Sequence, residues 1–572
     1  MGNKKNIFQS DSLWKLSLKV VLPSLIVTLL FGIYIFIDQL LMQQIVPENG
    51  INFLYDGYLS KQFNNEALTN IMTIVYNDSK NDPNLFNPDG TIILENALKQ
   101  ANKDTIFLSV TSVGTVNLLF LSIGFFINSG ASVIYSRSLA KKNYIESKEI
   151  WNSTFYSCLI SSLIILVIML PIQNYIINLT IPSQLSGTET DPNVLEFFKL
   201  KQQAALNFAS DYTYFITASI PFVMITNLLI FFIRAEGKNI IITSISLIAN
   251  FFNIMFDLIF FFVLKTNIMG GGIATFSGYI INLALLCLYT YYLERKNEIN
   301  FSFKDLVVFK IKRNYLLSSF ALSLGTFLRD LALAIANIVY IPIFTETMDA
   351  LIKDNAISSS YLNDIFSVSA TPIYNLFFFA MYGIIDGMRP ILAYNYQQQN
   401  YKRVKQTYYA GAILGATFAV LVNIILFSSL TPSVLEFFNA GTESRKQVLL
   451  LLFYSTMFQL PFVAISISGL SLFQSNGKMF MTILLSLFQG LICFVPMVLM
   501  MSAIAKATLN SNVMLFAGFS NIVISSILID VISEVYLHVY MGKKEKSSDP
   551  LHQVDMVINW IDTKLKPNKK TI

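Results

Sequence analysis

Residues 14–43 read WKLSLKVVLPSLIVTLLFGIYIFIDQLLMQ, and from Val20 to Ile37 the run carries no charge. A bilayer's hydrocarbon core is about 30 Å thick and a helix rises about 1.5 Å per residue, so roughly 20 apolar residues cross it. This run is long enough, and no small-residue cleavage site follows it, so it reads as a retained membrane helix rather than a removable leader. Runs of the same kind recur along all 572 residues. They predict twelve spans, at 14–43, 105–131, 151–178, 211–233, 239–264, 271–293, 315–344, 366–388, 408–430, 446–474, 479–503 and 512–538. The composition requires it: apolar residues make up 54% and charged residues only 13%, about half the charge that solvates an ordinary soluble domain.

The same arithmetic removes other classes. A net charge of +5 over this length is too small for a nucleic-acid partner. Cys158, Cys287 and Cys493 sit in apolar runs, which excludes a disulfide scaffold or a zinc cluster. Histidine occurs only at His538 and His552, so histidine-dependent catalysis lacks its material and no enzyme is expected. An even number of spans puts both termini on one side. Lys and Arg number 27 on that side and 11 on the other, with Lys19 and Arg329 inside spans; the excess marks the cytoplasm.

The expected layout is a cytoplasmic N-terminus at 1–13, a first six-helix repeat at 14–293, a cytoplasmic linker at 294–314, a second six-helix repeat at 315–538 and a cytoplasmic tail at 539–572. Extracellular insertions at 44–104 and 179–210 read as polar additions without a core of their own, the first of them dispensable for transport. In the tail Leu551, Val554, Ile558, Ile561 and Leu565 form a helical apolar stripe suited to the inner membrane face. The repeat rests on two sets of matches. Pro221-Phe222-Val223 and Gly237-Lys238 recur at Pro461-Phe462-Val463 and Gly477-Lys478, 240 residues on; Gly130, Ile134 and Asn143-Tyr144 recur at Gly387, Ile391 and Asn400-Tyr401, 257 residues on. Parallel repeats of this kind enclose a central cavity and alternate access by rocking, which favours a transporter.

A charge in the hydrocarbon core costs about 2.5–3.5 kcal/mol even on the lenient insertion scales, so acids inside spans are functional candidates. Asp38 interrupts the first span and Asp257 the fifth, with Asn253 one turn earlier on the same face. Thr275 follows Gly270-Gly271-Gly272 in the sixth, a glycine run that reads as close helix packing. Counted along their helices, the four groups share one level in the first repeat. Two carboxylates, an amide and a hydroxyl suit a small hard cation, or a proton shared between two acids. Arg329 with Asp330, Asp386 with Arg389, and Asp530 with Glu534 read as internal ion pairs or acids near the interface.

Taken in order, Pro23 with Asp38, the stretch from Gly130-Ala131-Ser132 through Arg137 to Lys141-Lys142-Asn143, Arg234-Ala235-Glu236-Gly237-Lys238, the Asn253/Asp257 pair and Gly272-Ile273-Ala274-Thr275 resemble the multidrug and toxic compound extrusion (MATE) family, on its prokaryotic side. The resemblance covers nearly all twelve spans and leaves out the insertions and the tail. It implies a monomeric plasma-membrane antiporter that expels organic cations, driven by Na⁺ or H⁺ and using no other cofactor. Asp38, Asn253, Asp257 and Thr275 match the coupling set, a Na⁺ site if sodium is the coupling ion. Pro23 matches the proline at which the first helix can bend, and either Tyr212 or Tyr214 the tyrosine of the fourth helix. The rival reading is a lipid or lipid-linked sugar flippase of the same superfamily, which would line its cavity with cationic residues.

Overall fold

The structure, a computed structural model, describes residues 13–76, 83–125, 127–180, 191–351, 371–427 and 443–541. Backbone polar groups in a bilayer must bond within their own segment, and helices do so. The regular structure among the described residues is accordingly helical, apart from one isolated bridge between Phe86 and Ile92.

In chain order the helices are α1 (Leu13–Gln44), α2 (Phe53–Gly57), α3 (Asn65–Val75), α4 (Leu94–Phe125), α5 (Asn128–Ala140), α6 (Tyr144–Thr180), α7 (Pro192–Ala218), α8 (Ile220–Ala235), α9 (Asn239–Leu258) and α10 (Met269–Arg295). There follow α11 (Arg313–Leu351), α12 (Thr371–Gln397), α13 (Tyr401–Leu426), α14 (Glu443–Phe458), α15 (Leu460–Ser475), α16 (Met479–Leu487), α17 (Phe494–Thr508), α18 (Asn512–Leu515) and α19 (Ala517–Val535). Among the described residues nine helical spans are long and apolar enough to cross a membrane, and α7 with α8, bent by 47°, makes a tenth.

Several helices outrun their expected spans. The second begins at Leu94 rather than 105 and the fourth at Pro192 rather than 211. The reason is local: Asp191 caps α7 by accepting from the Asn193 N–H at 2.8 Å, with Pro192 in the first turn, and Glu95 and Lys99 of α4 and Glu196 and Lys199 of α7 keep their side chains exposed without ending the helix. Most of the expected 179–210 insertion is therefore helix. Residues 53–101 also differ from the expectation of a coreless insertion. Leu54, Leu59, Leu68, Ile71 and Met72 are buried with Phe197, Ala204, Ala205 and Phe208 of α7 in one cluster that continues to Met42 and Ile268. The cap thus has a core, shared with the extended helix ends. The tail stripe at Leu551–Leu565 lies outside the described residues.

The sequence matches reappear as matched geometry. The break at Ser219 before Ile220-Pro221 is repeated at Gln459 before Leu460-Pro461, and the turns that follow place Gly237 at φ 78° and Gly477 at φ 74°, a left-handed conformation glycine adopts without penalty. At the other offset α5 ends at Ala140 and α12 at Gln397, and the next helices start at Tyr144 and Tyr401. The glycines matched there make equivalent crossings. A Cβ on Gly130 would lie 2.1 Å from the Ser319 carbonyl oxygen of α11, and one on Gly387 2.6 Å from the Val21 Cα of α1. Only glycine permits backbones so close.

Candidate functional site

The site is built where α10 passes α1, α7 and α9, and glycines let it approach. A Cβ on Gly271 would stand 2.9 Å from Asp38 Oδ1, one on Gly272 2.8 Å from the Tyr212 carbonyl oxygen, and one on Gly278 3.1 Å from Asn253 Cβ. The three glycines therefore press one face of α10 onto the three helices that carry the expected polar groups.

Four sequence-predicted residues meet here. Asp38 (2% exposed), Asn253 (3%), Asp257 (0%) and Thr275 (3%) are all buried. The Tyr212 hydroxyl donates to Asp38 Oδ2 at 3.1 Å, and the Asn253 amide donates to Thr275 Oγ1 at 3.4 Å. Asp38 Oδ1, Asn253 Oδ1 and both oxygens of Asp257 have no hydrogen-bond partner. Asp257 lies one turn beyond Asn253 on α9, on the same helix face. A buried oxygen left unpaired costs roughly 1–3 kcal/mol, more when charged. Asp38, Asn253 and Asp257 together hold four such oxygens.

Tyr212 and Tyr214 stand in different surroundings. Tyr212 is buried and bonded to Asp38, whereas Tyr214 is 42% exposed and accepts from the Asn174 amide at 3.1 Å. Tyr214 is thus outside the site, because two positions along a helix is about 200° around it. Pro23 lies about 22 Å down α1 from Asp38 at 1.5 Å per residue. The helix runs through it unbroken, and the Pro23 carbonyl accepts from Thr243 Oγ1 at 3.3 Å.

Beside the cluster is a cavity of about 180 Å³ whose walls include Phe31, Tyr34, Asp38, Tyr212, Asn253 and Tyr279. Its described lining belongs to the first half of the chain, with Asp386 alone from the second. Sequence reading missed Tyr34 and Tyr279, whose hydroxyls lie 2.9 Å apart; their signal was present, since Tyr34 sits one turn before Asp38 and Tyr279 one turn after Thr275.

At the far end of the cavity the halves are tied by charge. Arg234 donates to Asp386 at 2.7 Å, Arg389 donates to the same carboxylate at 2.9 Å, and Arg389 Nε donates to Gln474 at 2.8 Å. The ion pair expected within Asp386 and Arg389 is present, with Arg234 as a second partner. Arg234 and Gln474 stand at the offset of 240. Gln474 reaches back to Ser129 Oγ at 3.3 Å and the Leu322 carbonyl at 2.9 Å, so each half clasps the other through corresponding positions. Asp530 and Glu534 accept from Tyr408 and Tyr409, each at 2.8 Å. The Asp330 side chain lies outside the described residues.

Comparison with known proteins agrees with this architecture. The MatE family profile matches residues 107–259. The MG447 homolog of Mycoplasmoides gallisepticum is 23% identical over 568 residues, covering 96% of this chain and 94% of that one. The multidrug export protein MepA of Staphylococcus haemolyticus is 26% identical over 327 residues, 57% of this chain and 64% of MepA. Among solved structures, the outward-facing conformation of a multidrug resistance MATE family transporter of the MOP superfamily superposes with a TM-score of 0.67 at 14% identity, over 95% of this chain and all of that one. A MOP superfamily transporter from Pyrococcus furiosus, described as having a binding pocket of reverse polarity, gives 0.66 at 14% identity over 94% of this chain and 98% of that one.

Proposed function

We propose, from its similarity to the MatE profile, to MepA and to MATE transporter structures, that the chain is an antiporter that exports amphiphilic organic cations and is driven by Na⁺ or H⁺ entering at Asp38, Asn253, Asp257 and Thr275. The observation that carries this reading is the set of orphaned buried oxygens on Asp38, Asn253 and Asp257. A sodium ion takes several oxygens at once, and Asp38 Oδ1, Asp257, Asn253 Oδ1 and Thr275 Oγ1 would hold it. A proton needs one carboxylate only. Both ions neutralise the same pair of acids, so they compete, and occupancy by either removes the cost of burying two charges together.

The layout we assign is twelve crossings in two six-helix repeats, the first closed by α10 and the second opened by α11, with both termini on the cytoplasmic side of the plasma membrane. The paired crossings of α5 on α11 and of α12 on α1 support it, as does the matched clasp at Arg234 and Gln474. The cavity supplies aromatic faces from Phe31, Tyr34 and Tyr279 with the Asp38 carboxylate near them, a combination that attracts an amphiphilic cation. Its volume of about 180 Å³ is below the roughly 300 Å³ of a site for a drug-sized ligand. Entry therefore requires the walls to part, which is the work assigned to ion binding.

A lipid or lipid-linked sugar flippase is less favoured, since the cavity beside Asp38 presents mainly acids, amides and phenols, and Arg234 at its far end is bonded to Asp386, whereas phosphates call for several cationic residues. The two readings separate in reconstituted vesicles. With an imposed Na⁺ or proton gradient, a fluorescent organic cation should move against its own gradient while a labelled phospholipid stays in its leaflet; movement of the lipid alone would reverse the assignment.

A further inference from the structure

We infer that part of the segment joining α10 to α11 is inserted in the bilayer, with Val307, Val308 and Phe309 at the boundary between lipid headgroups and acyl chains. These three consecutive residues are 84%, 67% and 63% exposed. Single exposed apolar residues are common, but a contiguous run of them calls for an apolar partner. The backbone points the same way. From Val307 to Lys312 the chain is neither helix nor strand, and side chains of α6 satisfy its polar groups instead. Asn152 donates to the Asp305 and Val308 carbonyls, the second at 2.9 Å, and accepts from the Lys310 N–H at 3.2 Å. Ser153 accepts from the Lys312 N–H at 3.1 Å and donates to the Lys310 carbonyl at 3.4 Å, and the Tyr156 hydroxyl donates to the Leu306 carbonyl. A loop in water has no need of such partners, because water bonds to its backbone. Irregular backbone at membrane depth requires them.

Depth and continuity identify the partner. A hydrocarbon core about 30 Å thick takes roughly 20 residues of helix, about 155–174 when centred on the expected span at 151–178. Tyr156 stands at the edge of that zone, and the Phe309 ring packs on it with centroids 4.7 Å apart. Further along the same face of α6 come Ile160, Leu163, Ile164 and Val167, all exposed and spaced to meet lipid. The three apolar residues continue this surface. The neighbouring lysines do not make it a site for anionic headgroups, since Lys148 pairs with Asp305 at 3.1 Å and both Lys310 and Lys312 pair with Glu149. The contact selects apolar depth rather than lipid charge. The insertion does not depend on the transport reading; the layout we assign makes the leaflet the inner one.

The test places a nitroxide on the full chain in lipid nanodiscs through Val308→Cys, with the unsubstituted protein as the blank for Cys158, Cys287 and Cys493. Ile164→Cys on the lipid face of α6 and Lys61→Cys at an exposed position of the cap serve as references. Collision with oxygen, which concentrates in the bilayer, and with a water-soluble nickel chelate is measured by power saturation. The Val308 label should favour oxygen as the Ile164 label does, equally in neutral and in anionic lipid. A Val308 label that favours nickel as the Lys61 label does would overturn the insertion, and an oxygen preference seen only in anionic lipid would overturn the apolar contact in favour of headgroup charge. Should labelling disturb the segment, Val307→Asp/Val308→Asp gives a second measure. Two charges at that depth should lower the unfolding temperature by several degrees, whereas an unchanged value would place the segment in water and contradict the assignment.

Discussion

Gly271→Ala puts one methyl group against the carboxylate we assign to the coupling ion. The added Cβ would stand 2.9 Å from Asp38 Oδ1, 3.2 Å from Met42 Sδ and 3.2 Å from Phe261 Cζ. Carbon and oxygen rest at about 3.3 Å or more, so the oxygen must retreat by roughly 0.4 Å or α10 must back away. Met42 and Phe261 close the other directions, and both are buried. Overpacking of this kind costs about 1–3 kcal/mol. If half of that falls on the ion-bound state, the half-saturating Na⁺ concentration for transport rises about two- to twelvefold, since 1.4 kcal/mol is tenfold. The assay is sodium-dependent uptake of a fluorescent cation into vesicles, with Gly518→Ala as control because its Cβ would meet nothing within 4 Å. A normal sodium dependence in a folded Gly271→Ala protein would refute the placement of Asp38 Oδ1 in the ion site.

Four further outcomes are expected. Asp257→Asn keeps the shape of a side chain whose two oxygens are both unpaired but removes its charge, so expression and unfolding temperature should hold while coupled export is lost; wild-type export would count against its role. Tyr212→Phe should weaken coupling several-fold by deleting the 3.1 Å bond to Asp38, while Tyr214→Phe, exposed and remote, should transport normally; equal effects would undo the distinction between them. Thr275→Ala should reduce the dependence on Na⁺ and spare proton-driven export, whereas identical losses under both gradients would point to a structural role. Replacing residues 50–93 by a short flexible linker should lower the unfolding temperature, because Phe197 and Ala204 lose buried partners worth about 1.5–3 kcal/mol for each large side chain; an unchanged value would restore the view of the cap as an addition without a core.

The sequence made the membrane class and the four polar groups legible for one physical reason. A charge or amide in an apolar run is expensive, so Asp38, Asp257 and Asn253 stand out wherever the run is recognised. The matched breaks and turns were legible because Pro221 and Gly237 mark a helix break and a left-handed turn, features that only a few residue types support. The extents of α4 and α7 were not, since charged residues end a hydropathy window without ending a helix. Tyr212 and Tyr214 could not be separated without knowing which face of α7 meets α10. The bond between Arg234 and Asp386 joins residues 152 apart, and no local pattern announces a contact between two half-chains. Nor does composition reveal that the cavity opens within the first half, which depends on how closely Gly271, Gly272 and Gly278 let α10 approach its neighbours.

Ion and substrate fluxes measured together in the same vesicles address the central claim most directly. With purified protein reconstituted in one orientation, a preloaded organic cation is released while radioactive sodium and an entrapped pH dye report the opposing ion. The account predicts that substrate leaving is matched by Na⁺ or H⁺ entering, in fixed proportion, and that Asp257→Asn abolishes both movements together. Substrate movement with no accompanying ion flux, or undiminished coupled flux in Asp257→Asn, would contradict it.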